Sequence, residues 1–464
     1  VGDSLIRKEV VYNLQLNTEY KSHFAKMNLS FFYNYFDGYI NLRPSLPPQL
    51  TIVGAFPAFY YEQSAVALYG ANAFNGILFM RSKSPFDHQG ISTSLKRGIT
   101  SQDAAGDNTY TDLGIRMAHK FSNKFAAKVN FGWLKGTDWA ANSQLDKNME
   151  GGTRATNINY DGVNVYGDIV ATNLSAVIES PDFLSQLPNP ALTQLVPLVD
   201  VSRTGYDESD LTDYNAESVK ADWGLYYRPF EDDFEISYVG KAGTGTTIYQ
   251  GSNRYSIRGF FQEQHKIEVK NNNFFLRGYV VADKAGDSYD MVATAIQINR
   301  AWKSDEDWFG DYINTYAGAT LGGLTDAQAH ATARATAENG RFEPGSPEFK
   351  AAFNKSINDP NIITGSQFKD ASKYYHADGN YNFSHLTDFA EIQVGGSYRV
   401  YELNSHGRIY TDANSAINYN EYGVYTQVQK KLMEDRLKLT GSVRYDKAKN
   451  FDGNFSPRLS LAPK

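Results

Sequence analysis

The sequence predicts an all-β chain whose strands form a transmembrane antiparallel β-barrel with long loops on one side. Three observations lead there. Apolar and polar residues alternate with period two over segments of about ten residues, the length a tilted strand needs to cross a bilayer. The links between these segments alternate between short and long, as in barrels with short inner turns and long outer loops. Aromatic residues, 32 Tyr and 28 Phe among them, crowd the apolar strand faces, as lipid-facing girdles require. Mean hydropathy is only -0.48, and no apolar run reaches the length of a membrane helix. Alternation hides the hydrophobicity of a barrel strand, so this leaves the barrel standing.

Composition removes other classes. A net charge of -7 and a pI near 5.7 argue against a nucleic-acid partner. With no cysteine, neither a disulfide scaffold nor a thiolate metal site exists. The eight His are scattered, none forming an i, i+4 pair around a Glu, and neither G-x-S-x-G nor a phosphate loop occurs, so the chain is not expected to be an enzyme. No leader is legible at Val1, as in a mature or partial chain.

The elements follow in order. "VVYNLQLNTEYKSHFAKMNLSFFYNYFDGYI" (10–40) reads as a hairpin, with Tyr12, Leu14, Leu16 and Tyr20 on one strand face and Met27, Leu29, Phe31, Tyr33 and Tyr35 on the next. "SAVALYGANAFNGILFMRSKSP" (64–85) breaks the pattern: Gly70 and Gly76 suit tight turns, Ile77 to Met80 a short buried strand, and Pro85 its end. Alternation then returns. Leu113, Ile115 and Met117 oppose Asp112, Arg116 and Lys120; Phe125, Ala127, Val129, Phe131 and Trp133 oppose Lys124, Lys128 and Asn130. Val219, Ala221, Trp223, Leu225 and Tyr227 oppose Lys220, Asp222 and Arg228. Ile392, Val394, Tyr398 and Val400 oppose Glu391, Gln393 and Arg399, and Leu437, Leu439, Val443 and Tyr445 oppose Lys438, Ser442, Arg444 and Asp446.

Short turns at 121–124, 229–233, 270–273, 385–388 and 433–436 alternate with longer links near 100–108, 137–217, 284–370 and 403–418. An amphipathic soluble sandwich would also alternate, but its polar face would not be so charged nor its apolar face so aromatic. The long links carry order of their own. Thr325 with Gln328 forms a capping box closed by Gly340, and Ser346 with Pro347 starts a second helix, giving helices near 326–339 and 347–357. "GTGTTIYQG" (243–251) reads as a flexible barrel loop. Asp283, Asp287 and Asp290 could ligate calcium in an outer loop, though their spacing is not that of an EF-hand and a solvated loop is the simpler reading.

With a barrel downstream, residues 64–85 resemble the end of the plug domain of TonB-dependent outer-membrane receptors. The residues that carry this are Ala67, Leu68, Tyr69, Gly70, Asn72, Ala73, Asn75 and Gly76, then Lys83 and Pro85. "GTDWAAN" (136–142), "GGTRATN" (151–157), "INRAWKSDEDWFGDY" (298–312), "NEYGVYTQVQKKL" (420–432) and "FSPRLSL" (455–461) look like early barrel segments and loops of SusC-like receptors. The resemblance implies a plug inside a 22-stranded barrel in the Gram-negative outer membrane. It also implies nutrient import powered by an inner-membrane TonB-type complex, lipid and lipopolysaccharide around the wall, and a SusD-like lipoprotein lid as a further partner. About a dozen strand candidates follow residue 85, so only part of such a barrel is expected, with 1–83 a plug remnant and 84–464 the N-terminal part of the barrel.

Within that frame the expected substrate contacts are Asn72 and Asn75 on the plug side, and Trp139, Arg154, Arg300, Trp302 and Trp308 in the outer loops. Aromatic faces beside planar polar groups suit an oligosaccharide or a peptide equally. Packing of loop helices would claim the same tryptophans. The expected function is TonB-dependent import of such a nutrient with no bound cofactor; the alternative is a structural or passive barrel subunit of a larger surface complex.

Overall fold

The computed structural model describes residues 10–21, 25–37, 82–178, 195–230, 233–251, 253–434 and 436–463. The expected plug strand at 77–80 and the contacts Asn72 and Asn75 lie outside the described residues.

Fourteen strands of one 15-stranded sheet form the wall. It opens with β1 (Val10–Lys21), β2 (Ala25–Asp37), β3 (Gly90–Gln102), β4 (Gly106–Lys120) and β5 (Phe125–Thr137). A long loop follows with β6 (Val165–Tyr166), β7 (Ala171–Asn173), α1 (Leu174–Ile178), β8 (Asp200–Ser202), β9 (Tyr206–Asp207) and α2 (Glu208–Leu211). The wall resumes with β10 (Asn215–Tyr227), β11 (Glu235–Gln250), β12 (Arg254–Lys270) and β13 (Phe274–Lys284). A second long loop holds β14 (Tyr289–Asp290), α3 (Met291–Trp302), α4 (Asp305–Leu321), α5 (Asp326–Ala337) and α6 (Pro347–Ile357). β15 (Lys373–Asn382), β16 (Glu391–Leu403), β17 (Ile417–Leu432), β18 (Leu437–Ala448) and β19 (Phe451–Pro463) complete the wall.

From β3 to β19 each wall strand pairs antiparallel with the next, an up-and-down meander that satisfies backbone N–H and C=O groups between neighbours. β1 and β2 pair as an antiparallel hairpin, and β2 then adds parallel to β3 through Ala25–Ser30. A parallel neighbour needs a long connection, and the segment 38–89 supplies it.

Register sorts the side chains. Met117, Val129 and Trp223 face one another across β4, β5 and β10, and one residue further Arg116, Asn130, Asp222, Lys241 and Gln264 form the matching rung on the other face of β4, β5, β10, β11 and β12. The first face is the outer one: Val129, Phe131, Ile267, Leu276, Val424 and Val443 stand exposed there. Lys128 and Arg444 are buried on the inner face. Apolar groups without protein cover on one side and covered charges on the other suit a wall with lipid outside and a polar lumen inside.

Two readings of the sequence are corrected. Residues 243–250 are the upper half of β11, because Thr244, Thr246, Thr247, Ile248 and Tyr249 favour a strand and Gly243 and Gly245 leave room for their neighbours. The link near 100–108 is a turn of only three residues, 103–105, between β3 and β4. The helices expected near 326–339 and 347–357 form as α5 and α6, with the Gln328 carboxamide accepting from the Thr325 N–H at 3.1 Å, Ser346 accepting from the Phe349 N–H at 3.1 Å, and Gly340 at φ 89° past the first. α3 and α4 are two further helices of this loop; for α4, Ser304 followed by Asp305, Glu306 and Asp307 is an N-terminal signal, and Trp308, Tyr312 and Tyr316 repeat at helical spacing.

The facing of β5 has a direct test. Val129→Arg places a guanidinium in hydrocarbon and should destabilise the barrel by about 2–4 kcal/mol, whereas Asn130→Arg on the lumen face should cost far less. Urea unfolding in lipid vesicles, followed by tryptophan fluorescence, measures both; equal losses would contradict the facing.

Candidate functional site

The two long loops leave the wall on the same side and fold into one body. One core joins Leu174, Val196 and Val201 of the first loop to Trp308, Phe309, Tyr312, Ile313, Tyr316 and the Ala face of α5 in the second. Another joins Tyr166, Tyr206 and Leu211 to Tyr289, Met291, Ala295, Ile298 and Phe349. Neither loop could bury these faces alone, so the helices form only as a shared cap.

Buried ions tie the cap together and to the wall. The Arg203 guanidinium is fully buried; it donates to Asp305 at 2.6 Å and to the Lys303 and Asn299 carbonyls at 3.0 Å, between the rings of Trp302 and Trp308. Glu208, also fully buried, accepts from Arg254 at the top of β12 at 3.0 and 3.1 Å and from the Tyr166 hydroxyl at 2.6 Å. At the rim the Asp138 carboxylate accepts from Thr247 at 2.5 Å and from the Ile248 N–H at 2.8 Å, pinning the first loop to β11. Charged hydrogen bonds of this kind are strong and directional when water is excluded.

The expected contact residues are placed unevenly. Trp308 lies fully buried in the first core, stacked on Tyr312 at 5.4 Å, so its ring packs the cap. Trp302 donates to Asn299 at 3.3 Å and covers Arg203, while Arg300 pairs with Asp305 at 2.8 Å; the structure thus gathers Arg300, Trp302 and Trp308 around one buried ion pair. Arg154 pairs with Asp207 at 2.8 Å over the Tyr160 ring in the first loop. Trp139, 41 % exposed, sits beside Asp138 at the rim. Among Asp283, Asp287 and Asp290, the last caps α3 through the Ala293 N–H and accepts from Asn253, and Asp283 accepts from Gln262. No group of three or more His, Asp or Glu converges as a metal site among the described residues.

Below the cap the lumen face carries a surface that the alternation pattern did not single out. Tyr374, Tyr401 and Tyr419 stand on one rung of β15, β16 and β17, with Tyr279 beside Tyr374 at 5.7 Å and ring spacings of 4.9 and 6.0 Å along the row. The next rung adds His376, Arg399 and Glu421, linked by Arg399 donating to His376 Nδ1 at 3.1 Å and to Glu421 at 3.0 Å. Arg277 and Asp378 close a two-pronged pair at 2.7 and 2.8 Å. A row of phenol rings over fixed charges can stack and hydrogen-bond a polar solute. The signal was present in "KYYHADGN", a strand with aromatics on both faces.

The same lumen face also holds the chain entering the wall. Lys128 donates to Ser82 at 2.6 Å and to the Lys83 carbonyl at 2.8 Å, and buried Phe86 lies 4.0 Å beneath the Arg228 guanidinium. Residues 82–86 therefore approach β3 from inside the wall.

Comparison with known proteins fits this geometry. Residues 278–462 match the family model described as TonB dependent receptor-like, beta-barrel. Comparison with curated proteins gave no match. Among solved structures, the ferric enterobactin receptor of Pseudomonas aeruginosa is similar at 11% identity and a TM-score of 0.43, covering 85% of this chain and 44% of its own. The siderophore receptor PirA of the same organism is similar at 10% identity and a TM-score of 0.43, with 87% and 48% covered. The FrpB iron transporter of Neisseria meningitidis is similar at 12% identity and a TM-score of 0.36, with 87% and 49% covered. The chain spans less than half the length of these proteins. The match of residues 278–462 to a TonB dependent receptor-like β-barrel model agrees with the largely antiparallel wall that these residues form here. The matched family is one of receptors, not of enzymes.

Two consequences follow for the cap. Trp308→Ala leaves a void that the helices cannot fill and should destabilise the cap by about 3–5 kcal/mol, seen as faster amide exchange in α4 and α5 with the wall strands unchanged. Asp168, 1 % exposed, accepts from the Gly162 N–H at 2.9 Å, yet burial pushes its carboxyl up to about 7. Its contribution is fully present below pH 4 and lost as pH rises toward 7, because the unfolded chain ionises first; the loss approaches roughly 4 kcal/mol. Cap amides should open more readily at pH 8 than at pH 5, and Asp168→Asn should flatten that difference.

Proposed function

We propose that this chain belongs to a TonB-dependent, SusC-like receptor that imports an oligosaccharide or peptide through a plugged outer-membrane barrel, using energy from the inner membrane. The observation that carries this is the two-faced wall crowned by one cap: lipid-compatible outside, a tyrosine and charge-lined lumen inside, and residues 82–86 entering along the lumen face. A passive pore needs no folded body of four longer helices over its mouth, and a structural subunit needs no aromatic row within its lumen. The cap is the capturing element and the lumen row the path. Its partners in this reading are a TonB-type energy-transducing complex on the inner side, a SusD-like lipoprotein lid against the outer loops, and the lipid and lipopolysaccharide of the bilayer around the wall.

Uptake of labelled oligosaccharides and peptides by cells carrying the receptor tests the reading, with the energy-transducing complex intact or disabled. Accumulation that requires that complex supports it; equal accumulation in both cells points to a passive barrel. Removing residues 291–357 should abolish capture while the wall still folds, because loop excision leaves the ladder intact. The shared cores predict more: residues 138–214 should become protease-sensitive in the same variant.

A further inference from the structure

On the lumen face of β10, β11 and β12, in the half of the wall nearer the cap, lies a recess of about 360 Å³. Its lining includes Lys220, Asp222, Lys241, Gly243, Phe260 and Gln264. Register places these on one face: Lys220 is opposite Gly243, Asp222 is opposite Lys241, and Lys241 is opposite Gln264. Lys220 and Lys241 are therefore diagonal neighbours on adjacent strands, with Cα atoms about 7–8 Å apart and ammonium groups free to converge. Glycine makes the room: a Cβ at Gly243 would lie 3.5 Å from Lys220 Cγ and 3.3 Å from the Val219 carbonyl.

The charges in the recess are unevenly matched. Asp222 is engaged by the Asn130 amide at 2.5 Å. Neither Lys220 nor Lys241 closes an ion pair among the described residues. Several other lumen cations are paired: Lys266 and Lys270 meet Glu268 and Glu235, Arg277 meets Asp378, and Arg399 meets Glu421. Two open ammonium groups and a carboxamide around a glycine-floored hollow, with Phe260 as one apolar side, form a cradle for a compact oxyanion.

We propose that this recess is a subsite for a carboxylate or phosphate group carried by a solute in the lumen. The inference rests on the import reading only for the solute's destination; binding itself needs no energy source. It narrows the cargo to molecules bearing an acidic group, which Lys220 and Lys241 would hold after passage through the cap, on the register rung that the tyrosine row of β15 to β17 continues.

The test is binding of inorganic phosphate and of citrate to the purified full chain in detergent, by isothermal titration at low and high salt. Saturable binding is expected, weakened at least tenfold in the Lys220→Gln/Lys241→Gln variant and strengthened in Asp222→Asn, with Lys438→Gln, a distant lumen lysine, unchanged. Raising the salt should weaken wild-type binding and leave the double variant unaffected. Absence of saturable binding, or binding indifferent to the double substitution, would overturn the proposal. Acetylation by an amine-directed reagent separates the sources: protection of Lys220 and Lys241 by added phosphate supports a solute site, whereas protection without any added anion means that an acidic side chain of the chain itself fills the recess, and also overturns it. Because energised uptake is measured separately, loss of this subsite leaves the import reading standing, and loss of uptake leaves the binding result intact.

Discussion

A backbone within hydrocarbon has no water to bond, so every N–H and C=O of the wall must find a partner in the next strand. That constraint imposes the meander from β3 to β19, and the meander imposes much else. Antiparallel neighbours fix each residue opposite one partner, and a pleat of period two sends successive side chains to opposite faces. A single register thus decides at once that Val129 meets lipid and that Lys128 meets the chain at Ser82 and Lys83.

The wall consequently has no core in the sense of a soluble domain. The fully buried aromatic and aliphatic side chains gather in the cap, where Trp308, Tyr206, Tyr289, Tyr312, Leu211 and Ile298 are all under 2 % exposed. Segments far apart in sequence supply the two sides of each cap core, and the buried Arg203 and Glu208 fix their mutual position. Leaving either charge unpaired would be costly, so these residues specify one docking of loop on loop as much as they stabilise it. The cap and the wall therefore answer to different physics, hydrophobic packing above and backbone pairing with lipid contact below. Their separate responses to substitution and to pH follow from that division.

The lumen lies between these regimes, wet but confined. Most of its charges are matched in pairs across strands, a pattern that keeps the wall neutral locally and its side chains ordered. The tyrosine row on β15 to β17 and the open lysines on β10 and β11 depart from that pattern in opposite ways, one offering faces and the other charge.

Local pattern sufficed for the elements whose cause is local. Alternation marked β4, β5, β10, β16 and β18 and the faces of their side chains, and capping residues marked α5 and α6, because pleat and cap are decided within a few residues. Where glycine interrupts a strand, as at 243–245, the local signal points to a loop, and only pairing with β10 and β12 overrides it. The fates of Trp302 and Trp308 were likewise undecidable from the chain alone: an aromatic ring in a loop can pack or bind, and the choice depends on whether another loop arrives to cover it. The first loop covers Trp308 through Leu174 and Val201, leaves Trp302 partly open against Arg203, and leaves Trp139 at the rim. Pairing partners, the shared cap and the lumen rungs join residues that are distant in sequence, so only the tertiary structure could decide them.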